Sequence, residues 1–322
     1  MPWRNTSDPY LIWLSEVILQ QTRIDQGLSY YLKFSKTFPK VNQLANADED
    51  KVLNLWQGLG YYSRARNLQS AAKQIQSTYK GKFPTTYNDI IALKGVGAYT
   101  ASAISSIAFG LPHAVVDGNV YRVLSRVFKI SEPIDSSAGK KIFDKVAHEI
   151  LDKKNPGNHN QALMEIGALV CTPTSPKCQT CPVQSKCLAF ADGTFLDFPV
   201  KAKMTKVRNR YFHYLVVTDG KKVVLNKRST KDIWFGLYDF CLIEKENAKE
   251  KPLKEIEALQ PTKFENTGSF VHILSHQKIH ATFWKVDVKK IKLPKGGVVA
   301  SLNEIDNFPM PQLLIRYLEQ IK

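Results

Sequence analysis

From Asp8 to about residue 190, apolar residues recur every three or four positions, the spacing that lines one face of an α-helix. Asp8-Pro9 has the form of an N-cap followed by a proline at the first helical position, and it opens an apolar-periodic stretch through Gln21. Further helices are predicted around 26–37, 48–57, 63–79, 86–93, 99–109, 118–129, 138–152 and 159–170. After Phe198-Pro199 the period shortens. Residues 211–218, 222–226, 279–286 and 298–300 read as strands, 268–284 as strand, turn and strand, and 310–321 as a closing helix. The polar, basic stretch 191–210 reads as an interdomain linker. The pattern predicts an all-α region over 1–190 and a smaller α+β domain over 211–322, with no internal repeat and no low-complexity tract.

A chain of 322 residues can bury two cores. No run reaches the length of a membrane span, so a soluble protein is expected. Lys and Arg number 45 against 29 Asp and Glu, a net charge of +16. The balance is +6 over residues 1–200 and +10 over 201–322, so both halves could face one polyanion. Nucleic acid is the first candidate and a membrane surface the second. The plainer alternative is a solvated basic surface that aids solubility.

Four of the five cysteines fall within seventeen residues, Cys171, Cys178, Cys181 and Cys187, spaced C-x6-C-x2-C-x5-C. No apolar signal segment opens the sequence, so a disulfide framework is not expected. Four thiolates in one loop need a soft metal centre, zinc or an iron–sulfur cluster, to offset their repulsion. Zinc sites usually repeat two short hooks; here one short hook has long arms, which favours the larger cluster. Cys241 stands apart and reads as a small apolar core residue.

Three further segments carry candidate chemistry. Leu93-Lys94-Gly95-Val96-Gly97-Ala98-Tyr99 reads as helix, G-V-G turn and helix. Gly95 and Gly97 let the backbone turn sharply, and the amides at the next helix start form an anion site suited to a DNA phosphate. Otherwise it is an ordinary helix connection. Asp117-Gly118-Asn119-Val120 opens a helix, and Asp117 reads as its N-cap, a role compatible with catalysis. Glu16 lies inside an apolar helix, sharing a face with Ile12 and Leu19. Shielding there would raise its pKa toward that of a useful acid; a solvent-reaching or arginine-paired glutamate is the alternative.

Together the hairpin, Val116-Asp117-Gly118-Asn119-Val120 and the cysteine loop resemble the helix-hairpin-helix DNA glycosylases that carry an iron–sulfur cluster. Within them, Trp13-Leu14-Ser15-Glu16-Val17-Ile18-Leu19-Gln20-Gln21-Thr22 and the segment from Gly58 to Asn67 resemble the adenine DNA glycosylase family, whose members remove adenine mispaired with 8-oxoguanine. The resemblance runs from Pro2 to about Cys187 and continues more weakly beyond. It implies a helix ahead of Pro2-Trp3-Arg4, the segment that stands directly after Met1 here. The nearest rival, endonuclease III, has a lysine nucleophile directly after its hairpin. Here that position is Tyr99, which cannot form a Schiff base, and Lys94 is misplaced for the part.

The resemblance implies a monofunctional glycosylase with a [4Fe-4S] cluster on the four cysteines. Glu16 matches the general acid at adenine N7, and Asp117 the carboxylate that stabilises the cationic sugar. Asn119 and Tyr99 match residues that orient these carboxylates, while Trp3, Arg4 and Gln161 match the lining of the adenine pocket. Gln21, Thr22 and Tyr61 match the wedge and the 8-oxoguanine contacts; Tyr62 reads as core. Lys177 is a candidate phosphate contact. The second domain is implied to be Nudix-like and to sense 8-oxoguanine. Trp234–Phe240 resembles its central segment, and Leu274-Ser275-His276 its F-S-H loop, with Leu in place of Phe. Residues 244–260 lack the glutamate array of a catalytic Nudix box, so pyrophosphatase activity is not expected. His272, His276 and His280 are spaced for one helix face, but a strand–turn–strand reading separates them. The implied partner is duplex DNA with adenine opposite 8-oxoguanine, bound by a cytoplasmic, nucleoid-associated monomer without membrane contact. The competing readings are a bifunctional glycosylase/lyase and a non-catalytic cluster-bearing DNA-binding protein.

Overall fold

The computed structural model describes residues 1–202, 207–294, 296–301 and 303–321. Its helical half opens with a 3-10 turn, Pro2–Arg4, followed by α1 (Pro9–Leu19), α2 (Ile24–Thr37), α3 (Val41–Ala45), α4 (Glu49–Leu55), α5 (Ser63–Thr78) and α6 (Tyr87–Ile91). It continues through α7 (Ala98–Phe109), α8 (Gly118–Val127), α9 (Ser137–Glu149), α10 (Pro156–Glu165) and α11 (Leu188–Ala191). The starts follow local chemistry. Asp8 accepts from the Tyr10 amide at 2.8 Å with Pro9 at the first helical position, and Ser136 accepts from the Gly139 amide at 2.8 Å. Two departures from the sequence pattern stand out. The five-residue α3 was too short to be seen as a period. The predicted helix over 159–170 begins at Pro156 and ends in a π-helical turn, Ile166–Val170.

The second half contains β1 (Arg208–Thr218), β2 (Lys222–Lys227), β3 (Tyr238–Asp239), β4 (Cys241–Lys245), α12 (Leu253–Glu257), β5 (Lys263–Ile273), β6 (Gln277–Asp287), β7 (Gly297–Ser301) and α13 (Gln312–Ile321). One mixed sheet runs β3-β2-β1-β6-β5; β4 adds to β1 and β7 to β2. β1 pairs with β6 in parallel, and the other pairings are antiparallel. Each face has a core. Phe212, Tyr214, Phe240 and Phe283 pack with Leu313, Leu314 and Tyr317 of α13; Leu215, Val217, Trp284 and Val286 pack with Ile256 of α12. Cys241, read as a buried small apolar residue, is partly buried and packs against the second cluster.

By its contacts the chain divides into two compact units: Met1–Asn46 with Ser70–Met204, and Ala47–Gln69 with Thr205–Lys322. The sheet unit therefore includes α4 and the start of α5. Within it, the Met310 amide donates to Gln57 Oε1 at 2.9 Å, Asn54 Nδ2 to the Asp306 carbonyl at 3.1 Å and Tyr238 OH to Asp50 at 3.1 Å. The predicted linker is not uniformly irregular. Phe198 is buried, Arg126 Nε donates to its carbonyl at 3.1 Å, and the Ile134 amide donates to Val200 O at 3.1 Å. Residues 203–206 of that stretch lie outside the described residues. Among the described residues no helix is long and apolar enough to cross a membrane.

Candidate active site

α1 is buried on nearly every side, with Tyr10, Ile12, Trp13, Leu14, Val17 and Ile18 all inside. It packs against α7, whose buried positions are mostly small: Thr100, Ala101, Ser102, Ala103, Ser105 and Ser106, with Ile104 the one large side chain. Small residues let the two backbones come close, and this brings Glu16 of α1 to Tyr99 of α7. The Tyr99 hydroxyl donates to Glu16 Oε2 at 2.7 Å. Burial pushes the Glu16 carboxyl up from the ordinary carboxylate range. The Tyr99 hydrogen bond and the Arg4 charge oppose the shift, and the Asp117 charge adds to it. Burial and the Glu16 charge also push the Tyr99 phenol well above its ordinary value, so it remains a donor at neutral pH.

Asp117 is the N-cap of α8. Its Oδ1 accepts from the Val120 amide at 2.7 Å and its Oδ2 from Asn119 Nδ2 at 2.8 Å. Both oxygens of the capping carboxylate are therefore held. Behind it stands Arg122, which sequence reading did not single out. Its guanidinium donates to Asn119 Oδ1 at 2.9 Å, to the Gly167 carbonyl at 2.7 Å and to the Cys171 carbonyl at 2.6 Å. Gly167 sits in the π-helical turn, where an added Cβ would lie 2.5 Å from Asn119 Cβ. Only glycine permits this approach. A basic residue three positions after Asn119 was the available signal, but its targets are backbone carbonyls that no pattern marks.

The remaining predicted residues of the helical unit have definite places. Arg4 hydrogen-bonds Gln161 Oε1 and pairs with Glu165 at 3.0 Å. Trp3 is buried edge-on to Tyr31, 5.1 Å between ring centroids, so little of its ring is open to a base. Gln21 follows α1 with φ +55° and is exposed; the next amide, Thr22, donates to Leu19 O at 3.1 Å. Gly95 takes the left-handed backbone, φ +76°, that the hairpin turn requires. Gly97 caps α7 in extended backbone with open space around it, which leaves the helix N-terminus accessible to an anion. Lys177 is exposed in the cysteine loop.

Cys171, Cys178, Cys181 and Cys187 line one cavity, walled by Val123, Val127, Ile166, Val170 and Phe190. All four are free thiols. Among the described residues no three His, Cys, Asp or Glu side chains converge as a single ion would need. The sulfurs surround a space rather than a point. Burial and then the neighbouring sulfurs push the Cys178 thiol up, so its thiolate needs nearby positive charge. The buried Arg126 supplies some: it donates to Cys171 Sγ at 3.4 Å and to the Thr172 and Pro173 carbonyls at 2.8 and 2.9 Å.

In the sheet unit, Tyr61, Ser275 and His276 line one pocket with Trp234, Leu274 and Arg66. The Tyr61 and Ser275 hydroxyls are hydrogen-bonded. Tyr62 is buried, as expected of a core aromatic, and its hydroxyl donates to Met310 O at 3.3 Å. His272 on β5 lies edge-on to Trp234, and His280 on β6 stacks on Tyr211, so these histidines have separate environments.

Residues 14–148 match the model of the HhH-GPD superfamily of base excision DNA repair proteins, and residues 213–320 match the NUDIX domain. A thermostable thymine-DNA glycosylase has a similar structure, with a TM-score of 0.55 and 28% identity over 60% of this chain and 88% of its own. A trapped endonuclease III–DNA covalent intermediate shares the fold, with a TM-score of 0.51 and 22% identity over 57% of this chain and 85% of its own. With the hairpin in place, these likenesses define a helix-hairpin-helix DNA N-glycosylase of base excision repair followed by a Nudix-like domain. The adenine DNA glycosylase of Buchnera aphidicola subsp. Baizongia pistaciae (strain Bp) is 34% identical over 337 residues, spanning 100% of this chain and 92% of that protein. The Homo sapiens adenine DNA glycosylase is 32% identical over 342 residues, spanning 87% of this chain and 62% of its own. The chain belongs to the adenine DNA glycosylase family.

The opposing influences at Glu16 make a signed prediction. Tyr99→Phe removes a hydrogen bond that favours the carboxylate, so the Glu16 pKa should rise further. Carboxyl-carbon NMR titration of labelled glutamate should show the Glu16 transition moving to higher pH; a shift downward, or none, would contradict the geometry.

Proposed function

We propose that the adenine this glycosylase removes stands opposite 8-oxoguanine, or guanine, in duplex DNA, and that removal is monofunctional. The observation that carries the proposal is the Glu16 carboxyl. It is pushed up by burial and bonded to Tyr99, and the charge of the capped Asp117 adds to the shift. Breaking the N-glycosidic bond needs an acid on the departing base and a negative charge beside the sugar as it becomes an oxocarbenium ion. Glu16, whose acid form burial favours, donates to adenine N7 and then, as carboxylate, helps deliver the water that adds to the sugar. Asp117 supplies the charge, Asn119 holds its second oxygen, and Arg4 and Gln161 border the base with Trp3 packed behind them. Tyr99 occupies the place where a lyase would carry its amine, so no Schiff base forms.

The flipped adenine leaves a gap in the stack. In the helical unit Gln21 and Thr22 serve as the wedge; in the sheet unit Tyr61, Ser275 and His276 read the opposite base as 8-oxoguanine. The amides at Gly95–Gly97 and the side chain of Lys177 take backbone phosphates. The four cysteines fit a [4Fe-4S] cluster: all are free, they surround one cavity, and Arg126 sets positive charge against Cys171. When bound, the cluster would join the segments that bear its ligands; every catalytic proton here is moved by the chain's own residues. The enzyme works as a monomer at the nucleoid in the cytoplasm.

The function is tested with a duplex carrying adenine opposite 8-oxoguanine, assayed before and after hot alkali. Strand breaks should appear only after alkali, and efficient borohydride trapping of an enzyme–DNA adduct would refute the monofunctional assignment. Glu16→Gln should bind DNA normally, since affinity rests on phosphate contacts elsewhere, yet lose at least ~10²-fold in single-turnover excision. Anaerobically purified protein should be brown with about four irons per chain; stoichiometric zinc and no visible absorbance would overturn the cluster.

A further inference from the structure

The turn that carries Tyr61 has an unusual backbone. Gly58 (φ +94°), Gly60 (φ +77°) and Tyr61 (φ +46°) all lie in the left-handed region. Glycine enters it freely, but a tyrosine does so only where its surroundings hold it there. Two donors converge on one oxygen. The Trp56 indole Nε1 donates to the Gly60 carbonyl at 2.9 Å, and the Arg64 guanidinium donates to the same carbonyl at 3.3 Å. The guanidinium carbon also lies 5.1 Å from the Trp56 ring centroid and 5.6 Å from the Tyr61 centroid. Both are cation–π distances. Burial pushes the Arg64 pKa down to about 10, which still leaves it cationic at neutral pH. Tyr61 itself remains 46% exposed, with its hydroxyl on Ser275.

We propose that Arg64 is a positioning residue for recognition of the base opposite the excised adenine: by holding the Gly60 carbonyl and lying against the Tyr61 ring, it presents that ring in one orientation. Arginine suits the task because a planar guanidinium can donate along its edge while its face meets an aromatic ring. Lysine can keep the charge but not both contacts in the same geometry. The inference rests on the assignment of Tyr61 to the 8-oxoguanine side, and the test separates the two.

Single-turnover excision by the full-length chain is measured on duplexes with adenine opposite 8-oxoguanine and opposite guanine, and the ratio of rates is read. Arg64→Met should lower the ratio about three- to tenfold, the scale of one cation–π contact, and Arg64→Lys should recover part of it. Tyr61→Ala should lower the ratio by itself, and adding Arg64→Met to it should change the ratio no further, because the arginine acts through the ring. An unchanged ratio in Arg64→Met, or an equal further fall in the Tyr61→Ala background, overturns the positioning role. If Tyr61→Ala keeps the full preference, the assignment of Tyr61 fails and the role of Arg64 falls with it. Should Arg64→Met not fold, Arg64→Gln, which loses the cation but keeps an amide donor, is read in the same way.

Discussion

The close approach of α1 to α7 is the constraint on which the active site depends. A carboxyl inside an apolar helix is costly when ionised and loses that cost when it holds a proton. Here the small face of α7 seals Glu16 beside Tyr99, whose hydroxyl satisfies the carboxyl while burial favours its acid form. The same packing that stabilises the helical unit therefore favours the acid form of Glu16. The cost has a definite sign. Because the folded pKa of Glu16 is raised, the group's contribution to stability is fully present below its unfolded pKa. It is lost as pH rises through the folded pKa.

The second carboxylate is prepared by different means. Asp117 is fixed by a backbone amide and by Asn119, and Asn119 is fixed by Arg122. Arg122 in turn grips the π-helical turn and the carbonyl of Cys171. A continuous set of hydrogen bonds thus leads from the cysteine loop to the Asp117 carboxylate. π-helical turns occur often at functional sites, and here the turn aims carbonyls at a guanidinium that a regular helix would keep for itself. Gly167 makes the contact sterically possible.

In the sheet unit, precision comes from long side chains that pin loops. Arg210 bridges Asp232 and Glu244 at 2.7 and 2.6 Å, and Arg228 pairs with Asp239 at 2.7 Å. Asp232 precedes Trp234 on the wall of the Tyr61–Ser275 pocket. These pairs are partly or wholly buried, so removing one partner would leave an uncompensated charge. Their value is in fixing loop geometry more than in net stability.

Much of this was legible in the chain because it is local. Helix periodicity, the Asp8 and Asp117 caps, the glycine hairpin and the cysteine spacing are all set by residues within one or two turns, and the structure forms each of them. The pairing of Glu16 with Tyr99 needed tertiary packing, since 83 positions separate them. So did the joining of residues 47–69 to the sheet unit, through bonds such as Met310 to Gln57. The packing of 191–202, read from composition as linker, and the grip of Arg122 on backbone carbonyls were invisible for the same reason. A carbonyl is present at every residue, so only the folded chain decides which ones a side chain can reach.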